Sequence, residues 1–287
     1  MSRQYLIISL IIWIVCNSVS AREEIAVPVD RDIYRYAKNI LNNRNIEDIT
    51  PDIFSHPLCQ RDVVDLLLIQ KALHIGKAQV SLKFFMIDHE EREEILLQSG
   101  MSVISVDTLW YSSTQELSDD VYISSPIIRN GEYFAGVYAA SERVVELGRI
   151  IDSDFSKVTV ISNKDWAVDW STIQLLSPKQ LFNETDWTIM ARLVSNGWVD
   201  IMLIPFNNQT PFKYTGKGYS VEAIQGIKVA LQDSRHFVVS KKHQHSQAIF
   251  NALEVGIKQL RASKFIENSY RNCGFLNVLV DKWREIP

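Results

Sequence analysis

The run Lys157-Val158-Thr159-Val160-Ile161-Ser162 reads as a strand: β-branched side chains dominate it, and neither glycine nor proline interrupts it. Further on, Thr185 or Asp186 can start a helix that ends at Gly197. A short oxygen-bearing side chain satisfies free N–H groups of the first turn, and glycine closes the last. The apolar run Val199-Asp200-Ile201-Met202-Leu203-Ile204 reads as a second strand. Strand, helix and strand in this order predict a parallel βαβ unit, because parallel neighbours need a long crossover between them.

The same grammar extends in both directions. Ile33, Tyr36, Ala37, Ile40 and Leu41 form a helical stripe, and Asp62 is the expected N-cap of a helix carrying Val63, Leu66, Leu67 and Leu73 to Gly76. Val80, Leu82, Phe84 and Met86 alternate as a strand should. An acidic helix His89–Ser99 is expected to stop at Gly100, with Ser102–Val106 returning to strand. Tyr133–Tyr138 reads as a strand, followed by a helix from Ser141 through Ile151. Late in the chain, His236–Ser240 reads as a strand. Ser246–Ala262 is a helix with Ile249, Leu253, Ile257 and Leu260 on one face, and a shorter helix runs toward Asn272. The expected class is α/β, with parallel sheets that receive ligands in the crevice beyond the carboxyl ends of their strands.

Composition agrees. The chain has 287 residues, 46% hydrophobic and 22% charged, with a formal net charge of -4. That is globular composition, enough for roughly two domains, and it supplies no electrostatic reason to bind nucleic acid or an anionic membrane. The N-terminus has its own pattern. Arg3 precedes an apolar run from Tyr5 to Cys16, and small residues follow up to Ala21. This reads as a secretory signal peptide over residues 1–21, cleaved after Ala21; the run is short against an apolar bilayer core of about 30 Å. Val15 is a poor neighbour for a lipid-attachment cysteine at Cys16. Cleavage leaves Cys59 and Cys273, which could form one disulfide in an oxidising compartment or stand as two separate buried thiols.

The familiar catalytic signatures are missing. His89-Glu90-Glu91-Arg92-Glu93 begins like a zinc-protease helix but lacks the second histidine. Gly216-Lys217-Gly218 lacks the third glycine of a dinucleotide loop and follows no expected strand. His243-Gln244-His245 reads as a pair of solvated surface histidines, because Lys241 and Lys242 would oppose a metal cation. Asp233-Ser234-Arg235-His236 holds the residue types of a hydrolytic triad, but adjacent residues on an extended chain alternate faces; a structural pairing or hinge contact is expected there. No metal and no cofactor are implied.

What remains is a set of aromatic and polar residues at strand ends. Asp107, Trp110, Tyr111 and Ser113 follow one expected strand. Trp166, Asp169 and Trp170 follow another, and Phe206 a third. Large aromatics beside a few fixed polar groups suit a small-molecule cleft, although any single tryptophan can equally fill a core.

Thr114-Gln115-Glu116-Leu117 followed by Tyr122-Ile123-Ser124-Ser125-Pro126 resembles the T-x-x-R and F-S-x-P-Y-like segments of the amino-acid-binding periplasmic solute-binding proteins, the type 2 periplasmic binding fold. The C-terminal stretch Phe237–Lys241, the helix Ser246–Ala262, Phe265-Ile266-Glu267 and Tyr270 fit the same order, so the resemblance spans the mature chain. It implies two α/β lobes, each a mostly parallel sheet flanked by helices, joined by two crossing hinge strands. Lobe 1 would comprise residues 22–120 with 225–287, and lobe 2 with the first crossing would be residues 121–224. The crossings would lie near Tyr122–Tyr138 and Gln225–Val239. The implied role is a monomeric, non-enzymatic periplasmic protein that closes over a small molecule and delivers it to an ABC transporter permease. A sensor or accessory protein with a degenerate cleft, and a small-acid dehydratase using Asp107 and Asp169, are the alternatives.

One position departs from the pattern. Leu117 stands where the family carries the arginine that holds a ligand carboxylate, a bidentate charged contact that leucine cannot make. Arg129 or Arg235 could substitute. Asp107 and Asp169 beside tryptophans suit an amine-bearing ligand, through charge and cation–π attraction. The expected ligand wall is Asp107, Trp110, Tyr111 and Ser113 from lobe 1 with Trp166, Asp169, Trp170 and Phe206 from lobe 2, and Ser124 and Ser125 near the first crossing.

Overall fold

The computed structural model describes residues 22–87 and 91–286. The expected signal segment, its cleavage point, Cys16 and the start of the His89–Ser99 helix lie outside them. No helix among the described residues is long and apolar enough to cross a membrane.

The chain opens on β1 (Glu23–Asp30), α1 (Arg31–Leu41), α2 (Arg61–Ile75) and β2 (Val80–Ile87). β1 and β2 pair in parallel from Glu23↔Val80 to Asp30↔Ile87. Asp30 caps α1, its carboxylate accepting from the N–H groups of Asp32 and Ile33. α2 starts two residues earlier than its sequence suggests. Gln60 is the N-cap, and Asp62 lies in the first turn without capping it. α3 (Glu91–Ser99) follows, and Ser102–Val106 does not form the expected strand. Only Ile104 makes a bridge there, to Val239. The segment is almost wholly buried, and its backbone bonds are spread over several partners: Ser102 N–H reaches Leu96 O and Ser105 N–H reaches Val238 O.

The two crossings run side by side. The first holds β3 (Leu109–Trp110), α4 (Tyr111–Glu116), β4 (Val121–Ile123) and β5 (Phe134–Ala140) on its way into the second lobe. The return holds β10 (Tyr219–Ala230), β11 (Arg235–His236) and β12 (Val238–Ser240). They pair antiparallel along their length: β4 with β12, Ile128 with Arg235, β3 with β11, and β5 with β10. A register shift interrupts the last ladder between Ala223 and Lys228, where Gly226 takes a φ of +85°. A positive φ of that size is routine for glycine and strained for other residues.

The second lobe is built on β5, with α5 (Val144–Ser153), β6 (Thr159–Ser162), α6 (Ala167–Leu175), β7 (Gln180–Asn183), α7 (Trp187–Ser195) and β8 (Met202–Pro205). β6 and β7 are parallel, and Val160 bridges in parallel to Ile201 at the entry to β8, so the βαβ reading of residues 157–204 describes this layer. β8 pairs antiparallel with β5. Asp186 caps α7 through Ile189 N–H. Gly216-Lys217-Gly218 does follow a strand, β9 (Lys213–Gly216), and it turns a hairpin into β10 without opening a helix.

α8 (Ser246–Ala262) and α9 (Phe265–Cys273) return to the first lobe, and β13 (Arg284–Ile286) pairs in parallel with β10. α8 crosses α2 at two reciprocal glycine contacts. A Cβ on Gly256 would stand 2.0 Å from Ala72 O, and one on Gly76 would stand 1.9 Å from Ala252 O. The backbones can approach this closely only where the side chain is absent. Cys59, just before α2, is disulfide-bonded to Cys273 at the end of α9, with Cα atoms 5.4 Å apart.

Candidate functional site

α2 brings Arg61 and Asp62 to the junction of the lobes. Arg61 hydrogen-bonds Asp62 and reaches Asp107 at 3.2 Å, with its own side chain only 17% exposed. Arg235, from the return crossing, lies 3.9 Å from Asp107 and 4.5 Å over the Trp110 ring. Across from them, α6 presents Asp169. Burial raises its carboxyl to about 6, with the Arg61 guanidinium and its own backbone N–H pulling the other way. Tyr133 stacks between Trp110 at 5.9 Å and Phe275 at 4.6 Å. Burial raises its phenol well above the ordinary range, Asp169 adds to the rise, and Arg61 opposes it. Tyr214 donates to Pro205 O at 3.1 Å, and burial and Asp62 push its phenol up. Direct contacts join Arg61, Asp62 and Asp107, with Arg235 and the Trp110–Tyr133 stack beside them, while Asp169 and Tyr214 stand within reach of their charges.

Beneath this cluster lies a fully buried network. Asp65 accepts from Thr108 N–H at 3.1 Å, from Thr108 Oγ1 at 2.7 Å and from Tyr270 Oη. Arg235 donates to Thr108 Oγ1 at 3.0 Å and to the Thr108 carbonyl. Asp62, Asp65 and Asp107 place carboxylate oxygens within 4.8 Å of one another, as a cation site would. Asp62 and Asp107 already pair with Arg61, and the Asp65 oxygens with Thr108 and Tyr270.

A cavity of about 440 Å³ adjoins the junction, lined by Tyr111, Ser112, Asp233 and the α6 face Val168, Thr172 and Leu175. Tyr111 is 45% exposed there, its ring 5.3 Å from His236. Several residues of the expected wall do other work. Ser124 is buried, with Oγ donating to Ser125 O at 2.9 Å and accepting from Phe237 N–H at 3.0 Å; it staples the crossings. Ser125 is exposed, and its N–H and Oγ both bond the Glu254 carboxylate at 2.6 Å. Phe206 is core, packed on Phe212 and Trp283 at 5.0 and 5.5 Å. Trp166 packs against the same lobe-2 core. Trp170 and Ser113 are half-buried on α6 and α4.

Leu117 is 3% exposed, among Leu97, Val121 and Val238, so the side chain at this position belongs to an apolar cluster. Ser234 and His236, two residues apart on one face, do converge: Ser234 Oγ lies 2.8 Å from His236 Nε2. His236 Nδ1 points at Ser124 O, 2.6 Å away, and Asp233 turns to Ser112 at 2.8 Å. The set is a hinge contact without the carboxylate of a triad. Nδ1 must donate to the carbonyl, which leaves Nε2 of the neutral ring to accept from Ser234. Burial lowers the His236 pKa and favours that neutral form. His243 and His245 each place Nε2 near Glu23, at 3.5 and 3.4 Å; His245 is exposed, as expected of a surface histidine, whereas His243 is half-buried.

Sequence reasoning missed Arg61, Asp62, Tyr133 and Tyr214. Asp62 was legible only as a helix cap, and that assignment hid Arg61 beside it.

Two lobes around paired antiparallel crossings, with charged side chains from both at the junction, define the type 2 periplasmic binding fold. No protein-family model matches the chain, and no curated protein matches it in sequence. Solved structures do match in fold. The BvgS VFT2 domain of Bordetella pertussis aligns with a TM-score of 0.54 at 12% identity, covering 91% of this chain and 93% of that one. The probable amino-acid ABC transporter extracellular-binding protein ytmK of Bacillus subtilis aligns at 0.53 and 10% identity, covering 74% and 87%. The GluR0 ligand-binding core in complex with L-glutamate aligns at 0.51 and 10%, covering 74% and 89%.

Proposed function

We propose that this chain is a periplasmic solute-binding protein whose two lobes close over a small amine-bearing molecule. The observation that carries this reading is the junction cluster, in which Arg61 pairs with Asp62 and Asp107, Arg235 lies 3.9 Å from Asp107, and Asp169 on α6 stands within the field of Arg61. The carboxylates outnumber the guanidinium groups, so a ligand ammonium is the group that restores balance, and the exposed Tyr111 supplies aromatic surface nearby. A ligand touching both sides favours the closed arrangement, and that shift is the signal a partner reads. Delivery to an ABC transporter permease is the use we assign to it. Asp107, Trp110, Tyr111 and Asp169 remain in the proposed wall, joined by Arg61 and Tyr133.

A sensor reading is supported by one feature: Arg61 already pairs with Asp62 and Asp107, so the junction can close without a ligand. Native mass spectrometry of the purified mature protein separates the two. A co-purified amine, displaced by added amines, supports solute binding. No bound mass and no thermal response to an amine panel sinks it in favour of the sensor.

A further inference from the structure

A second pocket lies beside the first crossing and shares no lining residue with the junction cluster. It encloses about 440 Å³ between the crossing, at Ser125 and Arg129, and the α8 residues Glu254, Lys258 and Arg261. Its charges are unbalanced. Both oxygens of Glu254 accept from Ser125, at 2.6 Å each, which turns this one carboxylate toward the crossing. Arg261 is held at the pocket wall by the carbonyls of Pro126 and Ile127, at 2.9 and 2.6 Å, and Glu132 lies 3.8 Å from its other nitrogen. Arg129 and Lys258 are exposed and form no ion pair among the described residues. Desolvation lowers the pKa of Arg261, and the neighbouring charge of Arg129 lowers it further against the pull of Glu132. The charges of Arg129 and Arg261 therefore oppose one another beside a space large enough for a small molecule, where the lining holds three cations and one carboxylate.

We propose that this pocket is a second ligand site, which takes a small oxyanion, the phosphate or carboxylate group of a solute, between Arg129, Lys258 and Arg261. An oxyanion there offsets the repulsion, and a guanidinium can meet it with two parallel hydrogen bonds. Lys258 contributes a point charge from a flexible stem. The site is independent of what binds at the junction, because its residues come from α8 and the segment 125–129 alone.

Isothermal titration of the mature protein with inorganic phosphate and with citrate, at ionic strength matched by chloride, tests it. Saturable binding of either anion is expected, and the double variant Arg129→Gln/Lys258→Gln should weaken it at least about tenfold, or 1.4 kcal/mol. Both residues are exposed, so the variant should keep the wild-type circular dichroism and thermal midpoint in chloride. Phosphate binding alone identifies a phosphate site, and citrate binding alone a carboxylate site. Binding of neither anion, or binding that the double variant leaves unchanged, overturns the proposal.

Discussion

Asp65 and Asp169 are both carboxylates drawn out of water near the same guanidinium, yet the chain treats them in opposite ways. Burial raises both pKa values. Asp65 is wholly enclosed and is met by Thr108 N–H, Thr108 Oγ1 and Tyr270 Oη. Asp169 is half-buried on α6 and relies on its own backbone N–H and the field of Arg61. A carboxylate whose acceptor capacity is used inside the chain fixes structure. One whose charge is only partly answered, at a junction between lobes, is available to a ligand cation.

The largest expected effect breaks the first half of that contrast. Asp65→Ala leaves Thr108 and Tyr270 without their buried acceptor, and should cost about 3–5 kcal/mol in urea unfolding. Tyr270→Phe removes one donor from Asp65 and should cost about 1.5–3 kcal/mol. If both variants unfold within error of wild type, the network is not structural.

The second half is sharpened by pH. The native Asp169 carboxyl titrates at about 6, above its ordinary 3.8, so between those values the folded chain binds more protons than the unfolded one. The contribution of this group to stability is therefore fully present below about 3.8, and is lost as pH rises through about 6. Thermal melts of wild type and Asp169→Asn from pH 4 to 7.5 should diverge with that sign, the variant becoming relatively more stable as pH rises. Lowered carboxylates elsewhere, such as Asp200, act with the opposite sign but cancel in the difference. Parallel melting curves would mean that Asp169 is not held above its ordinary range.

Much of the fold was legible because it rests on local signals. The βαβ stretch between Lys157 and Ile204 and the helix Ser246–Ala262 could be read from β-branched runs and apolar spacing. Ser102–Val106 misled because a buried apolar run looks like a strand even where tertiary contacts take its hydrogen bonds separately. The site was harder. Asp107, Trp110 and Asp169 could be suspected from aromatic and acidic clustering. Arg61 reaches the junction through its long-range contact with Asp107, and Tyr133 through its stack with Trp110 and Phe275, which no local pattern encodes. Phe206 and Trp166 show the converse: an aromatic after a strand looks the same in sequence whether it lines a cleft or fills a core.

The central claim is that the junction binds an amine through Asp169, and calorimetric titration of a panel of amine-bearing solutes against wild type and Asp169→Asn tests it most directly. An amine bound at pH 7.5 should weaken as pH falls through about 6, where Asp169 takes up its proton, and should bind the variant at least about tenfold more weakly at pH 7.5, a loss of 1.4 kcal/mol. Equal affinity for wild type and variant, or binding by acidic solutes alone, would contradict the account.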